Sequence, residues 1–162
     1  MTTADRWYFA YGSNLSMERM QRRTGPIRDA SVAQLKDFRL VFNNTDTDGV
    51  ETYANIMPTP GGVVWGVVYR CAPAALAALD EYECVSDGCY SREVVEVQTA
   101  AGEQLQAQVY VGGERFMVEG RRPSDWYLQI ILSGANEHGL PEEYVREIEL
   151  LANPAGPPSP PR

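Results

Sequence analysis

The chain has 162 residues, 44% of them hydrophobic and 22% charged, enough for one domain with a sizeable core and too apolar for general disorder. Its 14 basic and 22 acidic side chains leave a net charge of −8, which repels phosphate backbones and anionic membranes, so no nucleic-acid or membrane partner is expected. No apolar run approaches the roughly 20 residues of a membrane-spanning helix, and the opening MTTADRW lacks a basic segment followed by an apolar one, which points to the cytoplasm.

In chain order, the aromatic-rich Arg6 to Tyr11 reads as a strand that stops at Gly12-Ser13-Asn14. Ser16 to Arg23 reads as a short helix closed by Thr24-Gly25-Pro26. Val32 to Phe42 alternates loosely, as one strand or two, and Asn43 to Gly49 is a polar loop. Tyr53 to Met57 and Val63 to Tyr69 read as two strands separated by a turn at Pro58-Thr59-Pro60-Gly61-Gly62. Pro73 suits the first turn of a helix running to about Glu83. Val94 to Val97 and Leu105 to Val111, joined by Ala101-Gly102-Glu103, form a hairpin. Ser124 is placed to cap a helix carrying Trp126, Tyr127, Ile130 and Ile131. Pro141 opens a last helix whose Tyr144, Ile148 and Leu151 share a face. The Pro-rich segment 154–162 can neither continue a helix nor join a sheet, so we expect a domain over 1–153 and an extended or disordered tail. Strands first and helices last indicate an α+β fold with a mixed sheet or barrel.

Two features carry chemistry. On the Pro73 helix, about 100° per residue puts Glu83 roughly 20° from Leu76, inside an apolar stripe with Leu79 and Ala72. A carboxylate desolvated there would hold its proton nearer neutral pH and could carry protons. A helix ending at Tyr82 would instead leave Glu83 in solvent. The second feature is Tyr8-Phe9-Ala10-Tyr11-Gly12-Ser13-Asn14-Leu15, where an abrupt strand end exposes successive backbone N–H groups able to cradle an anion such as a carboxylate, or simply makes an ordinary turn. The acidic cluster Asp80, Glu81, Glu83 and Asp87 lacks a calcium-loop pattern. A single histidine, His138, cannot supply a multi-histidine site, and we expect no metal. Cys71, Cys84 and Cys89 lack paired CxxC spacing and are expected as free thiols.

Tyr8 to Leu15 resembles the YGSN signature of the γ-glutamylcyclotransferase family. The resemblance continues through Val64-Trp65-Gly66-Val67-Val68-Tyr69, Leu79-Asp80-Glu81-Tyr82-Glu83 and Gly88-Cys89-Tyr90, then Pro123-Ser124 to Tyr127 and Gly134-Ala135 to Gly139-Leu140-Pro141. It covers roughly residues 6–150 in the family's order.

The resemblance implies a small mixed-topology β-barrel with flanking helices. It implies an enzyme that releases 5-oxoproline and a free amine from a small-molecule γ-glutamyl amide, by attack of the substrate's own α-amine and without hydrolysis. Glu83 matches the family's catalytic acid–base. Tyr8, Phe9, Ala10, Tyr11, Gly12, Ser13 and Asn14 match the loop that grips the γ-glutamyl head, and Tyr90 and Tyr127 match tyrosines lining the pocket. Ring closure needs no cofactor, and a monomer or homodimer is expected. The leaving amine is left open among amino acids, other amines and γ-glutamyl-protected intermediates. The alternatives are a non-catalytic binder of γ-glutamyl-like ligands, which would have no use for a carboxylate at position 83, and a hydrolase, for which no Ser–His or Cys–His pair is readable. Two departures stand out. Cys84 occupies a position that is commonly glycine, and Gly112 to Arg122 carries Arg115, Arg121 and Arg122, which match no family pattern.

Overall fold

The computed structural model describes residues 4–153; the tail expected at 154–162 lies outside the described residues. Five strands form a closed barrel: β1 (Arg6–Ala10), β2 (Ala30–Asn44), β3 (Tyr53–Cys71), β4 (Tyr90–Thr99) and β5 (Gln104–Gly112), in the order β1-β3-β2-β4-β5. All neighbours are antiparallel except β1 and β5, which close the barrel in parallel with Trp7 opposite Ala107. Four helices flank it: α1 (Met17–Thr24), α2 (Pro73–Tyr82), α3 (Asp125–Glu137) and α4 (Glu142–Ala152). This is the mixed-topology barrel with flanking helices expected above. None of these helices is long and apolar enough to cross a membrane.

The β2–β3 ribbon differs from the sequence expectation. Pro58 to Gly62 does not separate two strands; it bulges out of one long strand, so that Lys36 pairs with Val63 while Phe38 pairs with Pro58. Two left-handed residues accommodate the irregularity, Asp37 (φ 66°) on β2 and Gly61 (φ 80°) on β3. They are linked by the Gly61 N–H, which donates to Asp37 Oδ1 at 3.0 Å. Gly62 passes so close to β2 that a Cβ would stand 2.4 Å from the Phe38 carbonyl oxygen. Proline and glycine here mark a bulge, which the ladder tolerates because the extra residues leave it.

Apolar side chains from all five strands and four helices fill the core, Phe9, Met20, Leu35, Val67, Val97, Val109, Leu76, Ile131 and Ile148 among them. In α4, Tyr144 and Ile148 are buried as expected, but Leu151 is 41% exposed, and Val145 and Ala152 complete the inward face. Ser124 caps α3 by accepting from the Tyr127 N–H. Gly134 lets α3 lie directly on the turn after β1, where a Cβ would come 2.5 Å from Leu15 backbone carbon. His138 closes α3, with Nε2 3.2 Å from the Tyr69 hydroxyl.

Candidate active site

One cleft gathers the end of β1, α1, the end of α2, and tyrosines from four further elements. β1 stops at Ala10 because Gly12 turns the chain (φ −115°, ψ −132°) into a single 3-10 turn, Ser13–Leu15. Its hydrogen bonds use the N–H groups of Leu15 and Ser16, leaving those of Gly12, Ser13 and Asn14 at the open end of the turn. The Tyr69 hydroxyl donates to the Asn14 carbonyl at 2.7 Å from beneath, which fixes the turn against β3.

Glu83 sits at the C-cap of α2, where its N–H donates to the Leu79 carbonyl at 2.8 Å. The helix therefore ends at Tyr82, yet the carboxylate does not enter solvent. Its side chain is 18% exposed and faces Arg23 Nη1 at 3.7 Å. Burial raises its pKa above the ordinary 4.5, and the charges of Arg23 and Arg19 pull back against that rise. Asn14 completes the cluster. Arg23 donates to its Oδ1 at 3.2 Å, which turns its Nδ2 to the Tyr8 hydroxyl at 2.9 Å and to Glu83 Oε1 at 3.5 Å.

Directly after Glu83 the backbone turns left-handed at Cys84 (φ 56°). That conformation costs an ordinary residue roughly 1–2 kcal/mol and glycine almost nothing, so the position is one that glycine suits. Cys84 and Cys89 are joined as a disulfide across the Val85–Asp87 turn, correcting the expectation of free thiols. The Cys89 N–H donates to the Cys84 carbonyl at 3.1 Å, and the resulting Cα separation of 5.2 Å lies within the range that a disulfide spans. Cys71 is free and buried.

The tyrosines take distinct places. Tyr90 donates to the Ala54 carbonyl at 2.6 Å, and the Ala54 N–H donates to the Tyr127 hydroxyl at 3.0 Å, so both rings are pinned to one residue of β3. Tyr11 donates to the Tyr110 carbonyl at 2.5 Å. Tyr8 and Tyr127 thus accept hydrogen bonds and keep their own O–H without an acceptor among the described residues. Burial raises the pKa of Tyr8, Tyr11, Tyr90 and Tyr127 above the ordinary 10.0, with the Glu83 charge adding to each, so all four remain neutral donors.

Of the residues expected at the site, Glu83, Tyr8, Tyr11, Gly12, Ser13, Asn14, Tyr90 and Tyr127 line the cleft. Phe9 and Ala10 do not. Both are fully buried; alternation along the strand sends Phe9 to the face opposite Tyr8, where it packs over Gly66 on β3. Arg19, Arg23, Tyr53 and Tyr110 line the cleft without having been singled out. The i, i+4 spacing of Arg19 and Arg23 was the available signal. The three arginines of 112–122 stay outside it, and Arg121 instead donates to the Val50 carbonyl at 2.6 Å. Asp80 accepts from Tyr110 at 2.7 Å and pairs with Arg92 at 3.3 Å. Among the described residues no group of three His, Cys, Asp or Glu side chains is placed to hold a metal ion.

A closed five-stranded barrel with flanking helices is the frame of this cleft, and the same frame is found in known enzymes. Residues 63–148 match the AIG2-like family. The chain is 39% identical over 148 residues to a gamma-glutamylcyclotransferase of Bos taurus and 38% identical to that of Homo sapiens, in each case across 89% of this chain and 77% of the relative. A solved gamma-glutamyl cyclotransferase superposes with a TM-score of 0.81 at 37% identity, covering 90% of this chain and 86% of its own. The chain belongs to the gamma-glutamylcyclotransferase family.

Proposed function

We propose that this protein is a γ-glutamyl cyclotransferase that takes a small-molecule γ-glutamyl amide and releases 5-oxoproline and a free amine, with Glu83 as the acid–base residue. The substrate's α-amine attacks its own γ-carbonyl, a C–N bond closes the five-membered ring, and the bond to the departing amine breaks. Both reacting groups belong to one molecule, so a site that holds it folded back removes most of the entropic barrier. No cofactor or metal is required.

An α-ammonium has a reference pKa near 8 and a solvated glutamate near 4.3. A solvated carboxylate is a poor match as a base, and one raised by burial is a better match. Glu83 then takes a proton from the α-ammonium and gives it to the leaving nitrogen, and a second proton follows the same route as the ring nitrogen becomes a neutral amide and the amine departs as an ammonium ion. The N–H groups of Gly12 to Asn14 receive the α-carboxylate, and the uncommitted O–H groups of Tyr8 and Tyr127 suit the oxygen that becomes negative on the γ-carbon. The observation that carries this reading is the buried Glu83 carboxylate facing that loop.

A matched set of γ-glutamyl compounds, assayed for 5-oxoproline release as kcat/KM, tests it. N-acetylation removes the nucleophile and should abolish turnover. Amidating the α-carboxylate removes charge-assisted hydrogen bonds of about 1.5–3 kcal/mol each and should slow the reaction at least tenfold. Changing the leaving amine should give graded effects. An α-amide that reacts as fast as the acid would displace the head group from the Gly12–Asn14 loop.

A further inference from the structure

Three elements meet at one guanidinium beside Glu83. Arg23, in the last turn of α1, lies over the exposed ring of Tyr82, with its central carbon 4.6 Å from the centroid. Its Nη1 reaches Asn14 Oδ1 at 3.2 Å and Glu83 Oε1 at 3.7 Å, and the side chain is only 14% exposed. We propose that Arg23 is a positioning residue for the reaction, which orients the Asn14 amide and the Glu83 carboxylate toward the substrate's amine. The proposal rests on the reading of Glu83 as the acid–base residue.

Two of Arg23's roles are separable. The first is geometric. With its oxygen held by Arg23, Asn14 can present only its NH2 group to Tyr8 and Glu83; without that hold the amide is free to reverse. A guanidinium resting over an aromatic ring is held so that one nitrogen faces both partners, whereas a lysine ammonium on its flexible stem is not fixed in that place. The second is electrostatic. Glu83 is faced by Arg19 and Arg23 from α1, by Tyr8 and Tyr11 from the end of β1, by Tyr90 from β4, by Tyr110 from β5 and by Tyr127 from α3, and the cleft wall also carries Tyr53 from β3 and the Asp46 carboxylate that accepts from it. The tyrosines are neutral wherever a carboxylate titrates, so the two arginines are the charges that oppose the effect of burial, and Arg23 is the larger. Losing its charge leaves burial less opposed. Glu83 would then keep its proton to higher pH, and the base form would be lost earlier on the acidic side.

The test compares R23Q, R23K, E83Q and the control R22Q by the pH dependence of kcat/KM, with each variant's folding checked by thermal melting. Arg22 is exposed, pairs with Glu18 at 3.9 Å, and its loss changes the net charge by the same amount. In R23Q the acidic limb should move up by about one pH unit or more, and kcat/KM at neutral pH should fall at least tenfold. R23K should keep the limb near its wild-type position while kcat falls. R22Q should change neither. If R23Q does not fold, the split seen in R23K between limb position and kcat carries the test alone. An R23Q limb that stays in place, an R22Q limb that moves as far, or an R23K enzyme of wild-type kcat would overturn the proposal. E83Q separates the two readings. Turnover in E83Q would remove the basis in Glu83 itself, whereas an inactive E83Q beside an unaltered R23Q would sink Arg23 alone.

Discussion

The β2–β3 ribbon and the cleft are specified by different chemistry. In the ribbon the demanding positions are backbone positions: left-handed Asp37 and Gly61, and Gly62 pressed against the Phe38 carbonyl. In the cleft they are side chains, with Asn14, Arg23 and Glu83 sharing hydrogen bonds and charge around a buried carboxylate. The difference teaches that one ribbon can serve stability at one end and activity at the other. The bulge at 58–62 lies outside the cleft and bears on folding, whereas Tyr53, Ala54 and Tyr69 of the same strand shape the cleft, which gives up stability to keep a carboxylate where it is useful.

The largest effect should come from the cleft. E83Q is expected to lower kcat by about 10²–10⁴, the usual contribution of a positioned acid–base group. Its stability should move the other way. Burial raises the folded pKa of Glu83 above the ordinary 4.5, so the folded state holds more protons than the unfolded state between those two values. The wild type therefore loses stability as pH rises through the folded pKa, and an amide does not. Thermal melts should show E83Q above wild type at about pH 7–8, with the difference closing below roughly pH 4. An E83Q protein that is less stable and still active would erase the contrast.

Next comes the ribbon. In G62A the new methyl meets backbone, which cannot rotate away, and an overpacking cost of about 1–3 kcal/mol is expected. Denaturant unfolding should show that loss while kcat per folded molecule is unchanged. A lowered kcat at full folding would show that the bulge and the cleft are coupled. The smallest effect is D37N, expected within about 0.5 kcal/mol of wild type. Asparagine tolerates the left-handed region, and its side-chain oxygen can still accept from Gly61. A larger loss in the same unfolding measurement would mean that the charge of Asp37, rather than its backbone angle, matters at the bulge.

These contrasts also explain what could be read before the structure was in hand. β1, α2 and the β4–β5 hairpin were legible because short-range patterns of alternation, proline and glycine determine them. The bulge at 58–62 was not, since proline and glycine mark a turn and a bulge alike, and only the register against β2 tells them apart. For Glu83 each local reading held half the answer: α2 does end at Tyr82, and the carboxylate is buried all the same, because α1 packs against α2 and covers it. Arg23 becomes part of the site through that same packing; its i, i+4 spacing from Arg19 marks a shared helix face but not what that face meets. Tyr8 and Phe9 were treated alike although strand alternation separates them, one into the cleft and one into the core.

Barrel closure between the first strand and the last has a bearing on how the enzyme comes into being. The Tyr11 hydroxyl is anchored on a carbonyl 99 positions further along the chain, and β1 finds its second neighbour only in β5. A chain growing from its N-terminus can pair the ribbon and wind α2 long before it has anything to hold the Tyr8–Asn14 loop in place. Contacts of such long range also slow folding, because a large loop must close before they form. The cleft should thus be among the last parts to assemble during synthesis, and a nascent chain that stops short of Gln104 should carry Glu83 but no enzyme.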